Sequence, residues 1–273
     1  LLEKTYKNLT PWQKVQVARH PQRPRVPMYI DRLITDFTPL AGDRCFGEDP
    51  AIVGGLGRLR GQPLVIMGHG KSEDVQENMR YSFGMAHPEG YRKAARLMDL
   101  ANQFHLPIVT LVDTPGAYPG VAAEERGQAQ ALAYCLEKSF IVTAPIISIV
   151  IGEGGSGGAI ALSTGNYTAM LEHSVYSVIS PEGCSSILWH TNDKREEASK
   201  AQKITAQDLK DLAIINEIIP EPPGAAHRNP WAVIDTVGDV IEAQCKHWMA
   251  MSKSEIQSHR RERFLQMTRN QSL

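Results

Sequence analysis

The stretch Pro145 to Ala161 reads PIISIVIGEGGSGGAIA. It begins as an apolar run, Pro145 to Ile151, with no polar face, which predicts a strand buried on both sides in a parallel sheet. It ends in small residues that predict a helix start. Five of the chain's 22 glycines lie in between, at 152, 154, 155, 157 and 158. A backbone without Cβ atoms bends sharply and lets a ligand approach closely. The N–H groups of a helix start lack partners and carry the positive end of the helix dipole. Such a turn suits a phosphate or an oxygen that gains negative charge.

Working outward, a second apolar strand, Pro107 to Asp113, ends in Thr114-Pro115-Gly116, and a helix of about 18 residues is expected from Val121 to Lys138. Pro88 opens a helix reaching about His105. Ile52–Leu59 and Pro63–Met67 read as a hairpin joined at Gly61-Gln62. Thr10 is a candidate cap for a helix over 10–20, and Tyr29, Leu33, Ile34 and Phe37 share the spacing of a second helix face. Pro21, Pro24 and Pro27 stiffen the link between the two. Short strands are expected at 167–171 and 174–179, then mainly helices, broken by the turn at 220–230. The rhythm is α/β. The organisation expected is a helical lead over 1–36, one α/β domain over 37–250, and a basic, solvated helix end or tail over 251–273 that carries Arg260, Arg261, Arg263 and Arg269.

Composition narrows the function. The 273 residues carry 29 Lys and Arg against 30 Asp and Glu, a formal net charge of −1. That balance argues against a dedicated nucleic-acid binder. The longest apolar run, Ile141 to Ile151, is too short for a membrane span of about 20 residues. The four cysteines, Cys45, Cys135, Cys184 and Cys245, form no Cys-x-x-Cys pair. Neither a zinc site nor a disulfide framework is expected from them, and a reducing cytoplasm fits. The first residues do not resemble a signal peptide.

Several chemistries remain open at the glycine run. Gly152-x-Gly154-x-x-Gly157 fits the dinucleotide fingerprint, with Glu172 downstream for a ribose. Asp113-Thr114-Pro115-Gly116 resembles a nucleotide triphosphatase loop, but the P-loop that this chemistry requires is incomplete: Gly70-Lys71-Ser72 lacks the earlier glycine, with Val at position 65. The third reading is an oxyanion hole of backbone N–H groups, and the fourth is glycines that only allow close packing. The oxyanion reading asks for no nucleophile. The segment is not read as a serine elbow, and there is no H-E-x-x-H.

Five runs carry a resemblance: Asn78–Met98, Val112–Gln128, Val150–Ala161, Val175–Leu188 and Ile218–Pro230. Together they resemble the family of alpha subunits of the bacterial and plastid acetyl-CoA carboxylase carboxyltransferase. The resemblance implies a crotonase-like (ClpP/enoyl-CoA hydratase-like) spiral of β-β-α units with an N-terminal helical lead and C-terminal helices. It implies carboxyl transfer from carboxybiotin, held on a biotin carboxyl carrier protein, to acetyl-CoA, giving malonyl-CoA. It also implies an α2β2 assembly with a beta subunit that carries zinc, alongside a biotin carboxylase component. No covalently held cofactor and no metal are expected on this chain. The expected location is cytoplasmic, with the plastid stroma as the alternative. Gly154 and Gly155 are expected to supply the oxyanion-hole N–H groups, and Gly157, Gly158, Thr114, Pro115 and Gly116 to line the biotin pocket. The competing activity is a stand-alone crotonase-fold hydratase or isomerase using Glu172 or Glu182 as acid or base. A non-catalytic scaffold subunit is the remaining option.

Overall fold

The computed structural model describes residues 2–267. Its N-terminal third runs α1 (Leu2–Lys7), α2 (Pro11–Ala18), α3 (Val26–Leu33), β1 (Ile34–Pro39), β2 (Ile52–Leu59), β3 (Gln62–His69), α4 (Val75–Arg80) and α5 (Pro88–Phe104). Then come β4 (Ile108–Thr114), α6 (Val121–Glu125), α7 (Gln128–Ile141), β5 (Ile146–Gly155), α8 (Ser156–Ser163), β6 (Tyr167–Leu171) and β7 (Val175–Ser177). The chain ends with α9 (Pro181–Trp189), α10 (Arg195–Ala201), α11 (Ala206–Asp211), β8 (Glu217–Ile219), α12 (Pro230–Met249) and α13 (Lys253–Gln266).

The sheet order is β1-β2-β3-β4-β5-β6-β8, with β7 added beside β5. Only the β1–β2 and β2–β3 pairs are antiparallel; every later pair is parallel. β5 is apolar throughout because both its faces are covered. Ile147, Ile149 and Ile151 pack toward α3 and α12, while Ile146 and Val150 pack toward α5, α7 and α8. On that second face Ser148 and Thr110 both donate to the Leu162 carbonyl of α8, at 3.1 and 2.5 Å. These bonds set α8 directly on the two strands that lead into the glycine run.

Local chemistry accounts for most element ends. Thr10 and Gln13 form a capping box at the start of α2. Arg60 and Gly61, both at positive φ, make the two-residue hairpin turn, so the join sits one residue earlier than expected. The single helix expected over 121–138 is two, because Gly127 takes φ +81 between α6 and α7. Ile34 and Phe37 lie in β1 rather than on a helix: Ile34 pairs with Leu59, and a bulge between Thr35 and Thr38 turns the strand. Strand β8 was not anticipated; its three residues pair with β6.

The ends of the chain are not appendages. Val26, Tyr29, Ile30 and Leu33 of the expected lead are core residues. The C-terminal basic stretch is not a solvated tail over its described part. Arg260 is fully buried. It donates to the carbonyls of Ser139, Val142 and Ala144 at 2.5–2.7 Å and to Asn166 Oδ1 at 2.6 and 3.0 Å. Those carbonyls end α7 and enter β5, where a helix leaves acceptors unsatisfied. Arg263 likewise donates to the carbonyls of Gly165 and Ile214. Arg261 is exposed, and Arg269 lies outside the described residues. Because each orphaned buried acceptor costs about 1–3 kcal/mol, Arg260→Ala should destabilise the protein by at least about 3 kcal/mol in urea unfolding. A loss under about 1 kcal/mol would show that water replaces the guanidinium.

Candidate active site

Two turns meet at the C-terminal edge of the parallel strands, where open α/β sheets gather their sites. The first follows β4. The Thr114 hydroxyl donates to the Gly116 carbonyl (2.7 Å) and accepts from the Gly116 N–H (3.0 Å), closing a tight turn in which Gly116 holds φ +153. The second is the β5-to-α8 junction. The two backbones touch: a Cβ on Gly155 would stand 2.1 Å from the Pro115 carbonyl oxygen, and one on Gly158 would stand 2.7 Å from the Gly116 carbonyl carbon. Thr114, Pro115, Gly116, Gly157 and Gly158 are therefore brought together as the sequence suggested. Pro115, Gly116, Ser156 and Gly157 line a cavity of about 580 Å³, whose far wall carries Arg19 and Glu182. Thr114 is fully buried and Gly158 sits behind the contact, so these two shape the wall without lining it.

The expected donors, Gly154 and Gly155, lie in the last residues of a strand. β5 does not stop at Ile151 but continues to Gly155. Gly154 pairs with Thr114 of β4 and with Tyr176 of β7, and Gly155 pairs with Ser177. Parallel strands send the N–H groups of alternate residues to opposite neighbours. Gly154 has a neighbour on each side, so its N–H belongs to the sheet, whereas Gly155 pairs with β7 alone. Uncapped N–H groups also lie further along, at Gly157 and Gly158 in the first turn of α8. Gly155 at the N-cap offers no side chain to cap them, and neither makes a backbone bond outside the helix. There the dipole adds to the donors.

Beneath the turns lies a charged layer that the sequence reading did not foresee. The linker between α2 and α3 feeds three arginines under the end of β5. Arg19 donates to Glu153 (2.7 and 2.9 Å) and to Glu182 (2.6 Å). Arg23 donates to the Ile151 carbonyl (2.6 Å) and forks onto Glu221 at 2.5 and 3.0 Å. Arg25 donates to Asp113 Oδ2 at 2.6 Å, while Lys71 Nζ (2.9 Å) and the Glu153 N–H (3.1 Å) donate to Oδ1. Burial pushes the Asp113 carboxyl up, but the charges of Lys71 and Arg25 overcome it and hold it well below the ordinary range. Glu221 behaves the same way, with burial opposed and outweighed by Arg23. Burial lowers the His69 imidazole to about 3, against the pull of Asp113, so it is neutral near pH 7. The signal available in sequence was Arg19, Arg23 and Arg25 spaced through a proline-stiffened link.

Other candidates are structurally committed. Arg92 donates to Asp43, Glu89 and the Arg126 carbonyl and is not free for a phosphate. Arg80 is exposed. Tyr118 stacks on His87 with ring centroids 4.0 Å apart, and His227 stacks on His20 at 3.8 Å. Glu172 accepts from the Glu221 N–H. Among the described residues no group of three or more His, Cys, Asp or Glu side chains is placed to hold a metal ion. One residue was overlooked. Gly154-Gly155-Ser156-Gly157-Gly158 does fit G-x-S-x-G, and the structure sets Ser156 on the strand-to-helix turn at φ +52.

The Asp113 ion pairs set a pH dependence. A carboxyl whose folded pKa is depressed contributes stability above its unfolded value, near 4, and loses it as pH falls toward the folded value. Urea unfolding from pH 7 to pH 3 should therefore show an acid limb that Asp113→Asn flattens, with the variant already destabilised at pH 7 by about 3 kcal/mol or more. Parallel limbs in both proteins would place the acid sensitivity elsewhere.

Comparison with known proteins shows the family and the fold. Residues 1–268 match the family described as acetyl co-enzyme A carboxylase carboxyltransferase-like. The carboxyl transferase alpha subunit of acetyl-coenzyme A carboxylase from Paramagnetospirillum magneticum is 55% identical over 269 residues, covering 98% of this chain and 85% of that one. Its counterpart from Paracoccus denitrificans is also 55% identical, covering 98% and 84%. Among solved structures, transcarboxylase 12S superposes with a TM-score of 0.63 at 18% identity, over 84% of this chain and 45% of that one. The beta subunit of Pseudomonas aeruginosa geranyl-CoA carboxylase gives 0.63 at 17% identity, over 89% and 46%. The Pseudomonas malonate decarboxylase MdcD-MdcE heterodimer gives 0.62 at 16%, over 81% and 90%. These likenesses establish the fold as crotonase-like. On the sequence match, this chain belongs to the family of carboxyltransferase alpha subunits of acetyl-coenzyme A carboxylase.

Proposed function

We propose that this chain supplies the biotin-facing half of a divided carboxyltransferase site. Family membership makes it an enzyme subunit, a carboxyltransferase of acetyl-CoA carboxylase within a multi-subunit complex. The finer reading is that the carboxyl group passes from carboxybiotin on a carrier protein to acetyl-CoA, giving malonyl-CoA. As the carboxyl leaves, negative charge grows on the ureido oxygen of biotin. The donors this reading assigns to that oxygen are the N–H groups at the uncapped start of α8, Gly157 in the cavity wall and Gly158 one residue deeper. The observation that carries this reading is the contact between the Pro115–Gly116 turn and the α8 start, which leaves those donors without a partner. Gly154 and Gly155 serve by holding β5 in register behind them.

The stand-alone hydratase reading lacks its acid and base. Glu182 is bound by Arg19, and Glu172 holds the Glu221 N–H. The second oxyanion site, for the thioester of acetyl-CoA, then falls to a partner. In this reading the partner is a zinc-bearing beta subunit in an α2β2 assembly, served by a biotin carboxyl carrier protein and a biotin carboxylase component. Exposed apolar side chains support a partner: Val178, in the cavity wall, is 84% exposed, and on α9, whose first turn carries the wall residue Glu182, Ile187 is 65% and Leu188 61% exposed. Biotin and acetyl-CoA are substrates in this scheme, and zinc stays on the partner. Cytoplasm, or plastid stroma, is the compartment proposed. Among the described residues no helix is long and apolar enough to cross a membrane.

Two measurements test the scheme. The chain alone should not decarboxylate malonyl-CoA in the presence of free biotin, whereas its complex with the beta subunit should; activity of the isolated chain would end the divided-site reading. Gly158→Ala forces a Cβ against Gly116 and Ala117, at 2.7–2.9 Å. It should lower kcat of the complex by about 100- to 1000-fold, the cost of a lost oxyanion donor, with assembly unchanged by size-exclusion chromatography. Full activity of this variant removes the donor assignment.

A further inference from the structure

Ser156 is the one residue with a side chain between Gly154 and Gly158. It holds φ +52, a conformation that disfavours any Cβ and that glycine adopts freely. In a run already made of glycines, a sixth would relieve this strain. A side chain kept where it is costly points to work done by the side chain. Its surroundings are specific. Ser156 is exposed and lines both the 580 Å³ cavity and an adjoining, mainly apolar one of about 670 Å³. Its Cβ faces Gly116 across the cavity mouth, 3.9 Å from where a Cβ on that residue would stand. The hydroxyl makes no hydrogen bond among the described residues. No histidine or carboxylate stands against it as a base, so the G-x-S-x-G spacing does not make it a nucleophile here.

We infer that the Ser156 hydroxyl is a catalytic group of the carboxyl-transfer reaction, donating a third hydrogen bond to the oxygen held by the Gly157 and Gly158 N–H groups. This rests on the donor reading above. A hydroxyl on the residue preceding two free N–H groups completes a three-donor cradle, and three donors match the lone pairs of an oxygen gaining full negative charge. No covalent bond forms to the serine, and its proton stays on Oγ.

The test uses the assembled complex and free biotin, with malonyl-CoA decarboxylation as the assay. Ser156→Ala removes the hydroxyl and keeps the strain; Ser156→Gly removes both. Each should lower kcat by about 100-fold while KM for biotin moves little, because the bond strengthens as charge develops. The melting temperature of Ser156→Gly should be no lower than that of the parent. Wild-type kcat in Ser156→Gly, with or without a defect in Ser156→Ala, overturns the inference, since the effect would then be conformational. Gly158→Ala run in parallel separates the two readings. If it is impaired while both serine variants are fully active, only the serine role fails. If it too is fully active, the donor reading fails first.

Discussion

The site depends on two backbones approaching more closely than side chains allow. The turn after β4 and the start of α8 meet at Pro115–Gly116 and Gly155–Gly158, where an added Cβ would overlap main-chain atoms. Everything functional follows from that contact. It brings the first turn of α8 to the cavity, leaves its N–H groups uncapped, and aims the positive end of the dipole at one small region. In the proposed reading the donors are main-chain N–H groups with the Ser156 hydroxyl beside them, and no acid, base or nucleophile is asked of this chain. What the chain must supply is rigidity, since preorganised donors stabilise charge only if they need not move.

Rigidity comes from above and below the sheet by different means. On one face, Ser148 and Thr110 tie α8 to β4 and β5 inside an apolar core. Under the strand ends, Arg19, Arg23 and Arg25 bind Glu153, Glu182, Glu221 and Asp113. A buried ion pair is weak as a source of net stability but expensive to break from one side. It therefore acts as a geometric clamp, and here the clamped groups are Ile151 and Glu153, at the start of the glycine run, and Asp113 beside it in β4. The linker prolines restrict the chain that delivers the arginines, lowering the entropy lost in fixing them. At the opposite end of β5, Arg260 does comparable service by gathering the carbonyls between α7 and β5.

The sequence by itself determined the strands, since apolar runs at Ile108–Val112 and Ile146–Ile151 admit no exposed face. It also determined the glycine turn, the capped helices and the residues that meet at the site. Five matching runs were enough to name the family and, with it, the crotonase-like fold. Its errors share one cause, the neglect of partners distant in sequence. Ile34 and Phe37 have helical spacing, yet both lie in β1, Ile34 paired with Leu59 of β2 and Phe37 in the bulge that follows. Gly154 and Gly155 look like loop, yet β5 runs on through them beside β7, so the helix start with its uncapped N–H groups falls at Gly157 and Gly158. Arg260 looks like surface charge until the carbonyls that it serves are folded around it. Hydrophobic period and turn chemistry are local and can be read along a chain. Which N–H groups remain unpaired, and which charges are buried together, depend on elements up to about two hundred residues apart, as with Arg23 and Glu221, and only the tertiary structure decides them.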